Sequence, residues 1–164
     1  MESVIQSIVE LFASKIPNEL TVFIVSLFPV LELRGGLIAA RIMNMDVLRA
    51  FLVCYIGNML PIPFILLFIR KIFDWMRNWK HFGKVIVKME KKAEKHRGTI
   101  EKYGAWGLLI LVAVPLPGTG GWTGALVAAI MDIRMKRALP IIALGVFIAG
   151  LIVAGVSFGL FGAV

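Results

Sequence analysis

The sequence predicts an all-α integral membrane protein: an inverted repeat of a re-entrant helical hairpin plus one transmembrane helix, with interfacial amphipathic helices. Composition is the first reason, since 59% of the 164 residues are apolar and the mean hydropathy is +0.88, against roughly 45 to 50% apolar residues in a soluble domain. The second is an internal resemblance at a constant offset of 88 positions. The third is that two of the four long apolar stretches are interrupted by proline and glycine near their middle.

The internal resemblance joins residues 36–57 to residues 124–145 without a gap. Repeats with broken hydrophobic segments at matching places are typical of transporters whose site lies where the two halves meet. The identical pairs are Gly36/Gly124, Ala40/Ala128, Ile42/Ile130, Met43/Met131, Arg49/Arg137, Ala50/Ala138 and Gly57/Gly145, and Pro29 falls on Pro117 ahead of them.

We divide the chain into four segments of a single membrane domain. Residues 1–16 are expected to form a surface helix, because apolar residues recur there at helical spacing and no positive region precedes an apolar core as in a signal peptide. Residues 18–69 are the first repeat, 70–102 are a basic segment and 103–164 are the second repeat.

Each repeat contains one ordinary spanning helix. Residues 50–69 hold one strongly polar side chain, Asn58, and residues 138–164 hold no charge. Either stretch is long enough to cross a hydrocarbon core of about 30 Å. Pro61 and Pro63 are expected to kink the first helix.

Each repeat also contains a broken stretch, residues 20–43 and residues 103–131. Prolines and glycines are expected to stop the helix over residues 29–36 and 115–121. The arm over residues 104–114 would then be about 16 Å long, or half a bilayer. A half-length helix that turns back is a re-entrant hairpin, which survives at membrane depth only where it is buried in protein or lines a wet cavity.

Charge indicates the orientation in a prokaryotic cell membrane. Residues 70–102 carry eleven lysines and arginines against four acids, so this segment should be cytoplasmic. Re-entrant hairpins would also keep Arg134, Lys136 and Arg137 inside and both chain ends outside. The alternative, in which all four apolar stretches cross fully, puts those three cations outside. The positive-inside rule favours the hairpins.

The basic segment is expected to be an amphipathic helix at the membrane surface. Its apolar residues recur at spacings of four and three from Trp75 to Ala93, and its lysines lie mostly off that stripe. Such lysines interact with anionic headgroups, so membrane lipids are the expected partner and nucleic acid is not. His81 and His96 fit no metal-site pattern and are expected to be solvated.

Glu32 and Arg34 are the charges expected to lie deepest in the membrane. A buried charge costs about 2.5 to 3.5 kcal/mol on insertion scales and so marks a substrate or proton pathway; mutual neutralisation of the pair is the alternative. The second break offers backbone groups of its glycines and Thr119, and the positive end of a helix starting near Gly121. The predicted pathway comprises Glu32, Arg34, Pro29, Gly35, Gly36, Pro115, Pro117, Gly118, Thr119, Gly120 and Gly121.

The sequence gives no sign of catalysis. It holds no Ser/His/Asp set, no paired catalytic carboxylates and no metal cluster, and the single cysteine, Cys54, excludes a cysteine-rich site. We therefore expect neither an enzyme, a metal nor a cofactor. The Gly-x-x-x-Gly patterns at 120–124 and 155–159 fit close packing within one protomer and a homodimer equally well.

Glu32-Leu-Arg-Gly-Gly36 and the segment from Pro115 to Ala125 resemble the two signature segments of the small multidrug export protein family, a distant relative of the DedA membrane proteins. The resemblance covers roughly residues 18–160. It implies two inverted re-entrant hairpins, each followed by a spanning helix, in a superfamily of lipid scramblases and polyprenyl-phosphate carriers linked to proton-driven transport. Glu32 and Arg34 match the acidic and basic positions of the first DedA hairpin. In the second hairpin, where DedA proteins carry arginines, this chain has Val114 and Gly120.

These observations lead to three functional hypotheses. The first is a DedA-like transporter, flippase or scramblase for an anionic or amphiphilic substrate such as a phospholipid or polyprenyl phosphate, with Glu32 linked to protons and Arg34 contacting the anion. The second is a proton-coupled exporter of small cationic or drug-like molecules, in which Glu32 binds the cation and Arg34 tunes its pKa. The third is a membrane scaffold without transport.

Overall fold

The computed structural model describes residues 16–77, 91, 103–116 and 118–159. All regular structure in these residues is helical. The helices are α1 (Asn18–Leu27), α2 (Glu32–Ile42), α3 (Val47–Met59), α4 (Pro61–Arg77), α5 (Ala105–Ala113), α6 (Gly121–Ile130) and α7 (Met135–Ser157).

Two stretches are long and apolar enough to cross a membrane. Among the described residues they are Val47–Ile69 and Met135–Ser157, each 23 residues long. The first comprises α3, the residue Leu60, which keeps helical dihedrals of φ −57° and ψ −45°, and the start of α4. Proline is favoured at the first position of a helix because its missing N–H has no helical partner there, and Pro61 opens α4 in this way.

The described chain divides into two compact units. The first contains residues 16–61 and 146–159, and the second contains residues 62–145 within the described ranges. In the first unit, α1, α2 and α3 pack against one another; in the second, α5 packs against α6.

The turn between α1 and α2 is short and satisfies its own backbone. It spans residues 28–31, and the N–H groups of Leu31 and Glu32 both donate to the carbonyl of Phe28, at 3.2 and 2.9 Å. With ten and eleven residues, α1 and α2 are each about 15 to 17 Å long. Each of these helices is therefore about half as long as a hydrocarbon core is thick.

Glycine allows the three helices of the first unit to approach closely. A Cβ on Gly36 would lie 1.9 Å from Ser26 Oγ and 2.8 Å from Cys54 Sγ, and one on Gly57 would lie 2.8 Å from the carbonyl oxygen of Phe23. Ser26 is fully buried and its hydroxyl donates to the carbonyl of Val22 at 2.8 Å. Small residues at such contacts are what membrane helices need, because dispersion contacts replace the hydrophobic effect there.

The second unit uses glycines at the corresponding positions. A Cβ on Gly124 would lie 2.4 Å from Val112 Cγ2, and one on Gly145 would lie 2.7 Å from Val112 Cβ and 3.3 Å from the carbonyl oxygen of Leu109. Val112 thus approaches both Gly124 and Gly145, as Ser26 approaches both Gly36 and Gly57. The separation of Ser26 and Val112 is 86 positions rather than 88, because the turn between α5 and α6 is longer than that between α1 and α2.

Helices α2 and α6 end in the same way. Asn44 and Asp132 have positive φ angles of 53° and 58°, which these residue types tolerate best among non-glycines. The N–H groups of Asn44 and Met45 donate to carbonyls of α2, and those of Asp132 and Ile133 donate to the matching carbonyls of α6, at 2.9 to 3.2 Å. Both ends are therefore Schellman motifs, 88 positions apart.

The helix after the first of these motifs has a side-chain cap. Asp46 Oδ2 accepts hydrogen bonds from the N–H groups of Leu48 and Arg49, at 3.1 and 3.2 Å. Such a cap satisfies helix donors that have no carbonyl partner. It fixes where α3 begins.

The structure tests several of the sequence predictions. The all-helical class and two membrane-length helices are confirmed. The start of a helix at Gly121 is confirmed, but the prediction that helix stops over residues 29–36 is wrong in part: α2 begins at Glu32, so Gly35 and Gly36 lie inside it. Glycine lowers helix propensity by only about 1 kcal/mol, which close packing offsets.

Other predicted segments lie largely outside the described residues. These are the surface helix over residues 1–16, of which only Ile16 is described, and the basic amphipathic segment over residues 70–102 with both histidines. Within that segment, residues 70–77 and 91 are helical.

We expect Gly36→Ala to destabilise the first unit and Ser26→Ala to rescue it in part. The added methyl clashes with Ser26 Oγ, and overpacking costs about 1 to 3 kcal/mol; removing the hydroxyl leaves Ser26 Cβ at 3.2 Å and Cys54 Sγ at 2.8 Å. Thermal unfolding in detergent of the wild type, both single variants and the double variant measures the coupling. Strictly additive effects would contradict this packing, and Gly124→Ala with Val112→Ala repeats the test in the second unit.

Candidate functional site

The first predicted pathway segment is the turn between α1 and α2 with the start of α2. Pro29 is exposed in the turn, Glu32 is buried at the first position of α2, and Arg34 is half-buried. Glu32 and Arg34 are close enough to interact electrostatically. The structure therefore brings the two predicted charges together at the hairpin turn.

Glu32 combines burial with an unusual backbone. Its residue is 6% exposed and its φ is 52°, a left-handed conformation that costs a non-glycine residue of order 1 to 3 kcal/mol. Among acidic side chains that the structure describes, Glu32 alone is buried; Glu19, Asp46 and Asp132 are exposed. Strained residues cluster at functional sites because the surrounding structure must hold them there.

A second buried polar group, Asn58, belongs to the same unit. It is 1% exposed, and its Oδ1 atom has no hydrogen-bond partner within the described part of the chain. A buried polar oxygen without a donor costs about 1 to 3 kcal/mol. Such a group in a native structure needs an explanation, and a ligand that donates a hydrogen bond is one.

Helix register places Asn58 level with Glu32. Helices α2 and α3 meet where Gly36 approaches Cys54, and Glu32 lies one turn before Gly36 while Asn58 lies one turn after Cys54. Because the two helices are joined by the short turn 43–46, they pack as antiparallel neighbours, and both steps run about 5 to 6 Å in the same direction. Glu32 and Asn58 therefore lie at a similar level along the paired helices, toward the turn between α1 and α2.

Gly35 and Gly36 have a packing role in the structure. Both are buried inside α2. A Cβ on Gly35 would lie 2.6 Å from Leu31 Cβ, and Gly36 faces Ser26 and Cys54. Their contribution to a pathway would be to let α1, α2 and α3 hold Glu32 in place.

The turn between α5 and α6 is the second predicted pathway segment. Gly118 and Gly120 have φ angles of 81° and 139°, which require glycine. Thr119 Oγ1 lies 2.9 Å from the carbonyl of Val114 and 2.8 Å from that of Leu116, so its hydroxyl proton is used within the turn. Thr119 thus closes the turn through its side chain, whereas the sequence prediction concerned only its backbone groups.

The remaining residues of this turn differ in exposure. Pro115 and Gly118 are exposed, Gly120 and Gly121 are buried, and Pro117 lies outside the described residues. Thr123 Oγ1 donates to the carbonyl of Gly118 at 3.0 Å and fastens the turn to the first residues of α6. The predicted convergence of both turns on one cavity remains a prediction.

Sequence reasoning missed two of these residues. Thr123 carries no signal of its own, because a threonine in an apolar helix is common. Asn58 did carry a signal: it is the one strongly polar side chain in an otherwise apolar span, and polar groups at that depth are expensive. Spacing alone did not show that it lies level with Glu32.

Comparison with known families settles the kinship of the chain. The model of the family described as "Putative small multi-drug export protein" matches residues 32–152, more than two thirds of the sequence, from Glu32 into α7. The chain belongs to this family. The match does not extend to a DedA relationship. No curated protein and no solved structure matches it.

Membership in the small multi-drug export family, together with the two apolar helices, supports a membrane location and a transporter-type function. The family description agrees better with the drug-exporter hypothesis than with the lipid-flippase hypothesis. The match of the family model begins at Glu32, the buried acid described above.

We expect Asn58→Leu to leave this family member at least as stable as the wild type. The substitution removes a buried oxygen that has no donor and keeps a side chain of similar shape, a change that is often neutral or stabilising. Thr123→Val is the matched control, because it removes a satisfied hydroxyl and should cost about 0.5 to 1.5 kcal/mol. Thermal unfolding in detergent measures both; a loss larger for Asn58→Leu than for Thr123→Val would show that the amide oxygen has a structural partner.

Proposed function

We propose that this small multi-drug export protein is a proton-coupled exporter of small cationic, drug-like molecules. The observation that carries the proposal is the buried carboxylate of Glu32, held in a strained backbone conformation at a hairpin turn of an apolar protein. Buried acids within membrane segments mark ion and proton pathways. The family description supports export as the direction of function.

The chemistry of Glu32 explains how protons and cations would be coupled. A bare carboxylate is costly in a low-dielectric site, so it holds a proton, a cationic side chain or a bound cation. A proton and an organic cation then compete for one group, and binding of one favours release of the other. The positive charge of Arg34 nearby weakens the binding of both the proton and the organic cation to Glu32, so that either can be released.

Asn58 gives the same site a second contact. Its oxygen is an acceptor only, and an ammonium or amidinium ligand would satisfy it while the carboxylate neutralises the charge. In this proposal Glu32 supplies affinity for charge and Asn58 supplies a directional hydrogen bond. The exposed apolar residues of the turn, Phe28 and Val30, suit the hydrophobic part of such a substrate.

We expect Glu32→Gln to reduce export of ethidium at least tenfold in liposomes with a proton gradient. Glutamine keeps the shape of the side chain and removes both the charge and the titratable proton. Glu19→Gln is the matched control, because Glu19 is exposed on α1 in the same unit, and it should transport normally. Wild-type rates in a folded Glu32→Gln variant would refute the role of Glu32, and absence of ethidium transport by the folded wild type would refute the exporter proposal.

The lipid-carrier hypothesis is the second candidate, and the half-buried Arg34 favours it. An anionic headgroup would pair with the guanidinium, so Glu32→Gln would spare binding and Arg34→Gln would abolish it. Labelled phospholipid in the same liposomes separates the two candidates. A scaffold without transport would tolerate Glu32→Ala with Arg34→Ala in both assays.

The proposed membrane arrangement is an inverted repeat of two re-entrant hairpins and two spanning helices, with residues 70–102 cytoplasmic and both ends external. Its support is the half-membrane length of α1, α2, α5 and α6, the packing of each helix pair side by side, and the equal helix ends 88 positions apart. A straight crossing would not pack the two arms of a broken stretch against each other.

We expect the loops before α3 and α7 to be labelled from opposite sides of the membrane. In a Cys54→Ala background, Arg49→Cys should react with an impermeant maleimide added to intact cells, and Arg134→Cys should react only after permeabilisation. Both positions are exposed in the structure. Labelling of both from outside would favour four full crossings and would contradict the inverted hairpins.

A further inference from the structure

A cavity of about 510 Å³ lies in the second unit, where α5 and α7 begin and α6 ends. Its volume falls within the usual range of small-molecule sites. Its interior is apolar, with Leu108, Met131 and Ile141 among the lining residues. Its described lining residues all belong to the second unit, whereas Glu32 and Asn58 belong to the first.

The mouth of this cavity is positively charged. Lys136 and Arg137 line it and are exposed on the first turn of α7, and no acidic side chain is among the lining residues that the structure describes. The nearest acid in sequence, Asp132, is exposed and does not line the cavity. Cations on the first turn of a helix are unfavourable, because they add to the positive end of the helix dipole. A bound anion would neutralise the charge of Lys136 and Arg137, and it would also interact favourably with the positive end of the helix dipole.

The position along the helix indicates what kind of anion the cavity meets. Met135 is the first residue of the membrane-length helix Met135–Ser157, so the cavity mouth lies at one end of a span, where lipid headgroups are. The carbonyls at the end of α6 are occupied by the Schellman bonds and do not repel an anion there. An apolar interior with a cationic mouth complements an acyl chain joined to a phosphate.

We propose that this cavity binds an anionic phospholipid, with its phosphate at Lys136 and Arg137 and part of an acyl chain between α5 and α7. The lipid is a resident ligand that joins three helix ends, and this role requires no transport activity. The proposal is therefore independent of the function assigned to Glu32.

The test is native mass spectrometry of the full chain in detergent micelles containing phosphatidylglycerol or phosphatidylcholine. The wild type should retain phosphatidylglycerol in clear excess over phosphatidylcholine. Lys136→Gln with Arg137→Gln should lower the phosphatidylglycerol-bound fraction at least fivefold. Arg49→Gln with Lys71→Gln, which removes two exposed cations elsewhere, should leave it unchanged.

A steric variant separates the cavity from general surface charge. Ala105 is exposed and lines the cavity, so Ala105→Trp should fill it without altering charge and should lower phosphatidylglycerol retention as strongly as the charge variant. Retention unaffected by Ala105→Trp, equal retention of both lipids, or equal losses in the two charge variants would each overturn the proposal. Gel filtration of every variant checks that the protein remains folded.

Discussion

The requirement that every backbone polar group be satisfied away from water governs the rest of this structure. Each broken stretch would expose such groups at its turn. The first turn meets the requirement with two N–H groups on the carbonyl of Phe28, and the second with the hydroxyl of Thr119 and the left-handed glycines Gly118 and Gly120. At the ends of α2 and α6, the N–H groups of Asn44 and Asp132 donate to carbonyls of those helices. Helices about half as long as a membrane-spanning helix are stable in this protein because backbone groups at their ends are hydrogen-bonded within the adjoining turns.

Close packing follows from the same requirement, since short helices bury little surface and need near neighbours. Gly36 and Gly57 let α1 lie against α2 and α3, and Gly124 and Gly145 do so in the second unit. The approach of Ser26 to Gly36 fixes the register of α2, and that register sets Glu32 and Asn58 at one depth. Close packing at Gly36 and Gly57 thereby helps to determine where Glu32 is held.

The two candidate sites differ in the sign of the ligand they would take. The first unit offers a buried carboxylate and an orphaned amide oxygen, which suit a cation. The second unit offers an apolar cavity with lysine and arginine at its mouth, which suits an anionic lipid. Glu32 and Asn58 belong to the first unit, and the described lining residues of the cavity belong to the second.

The sequence by itself determined the membrane class, the two stretches long enough to span a membrane and the positions of both turns, because these depend on composition, proline and local propensity. It misplaced the end of the first break, since the propensity of Gly35 and Gly36 argued against helix and only tertiary contact with Ser26 and Cys54 shows why helix forms there. The same limit applies to Asn58. The sequence shows that this side chain is polar, but it does not show that Asn58 lies level with Glu32. The cavity beside Lys136 also depends on which residues far apart in sequence meet, whereas the closing role of Thr119 comes from hydrogen bonds to Val114 and Leu116 within the same turn. Local chemistry fixes which residues are unusual, and packing between helices decides what each of them faces.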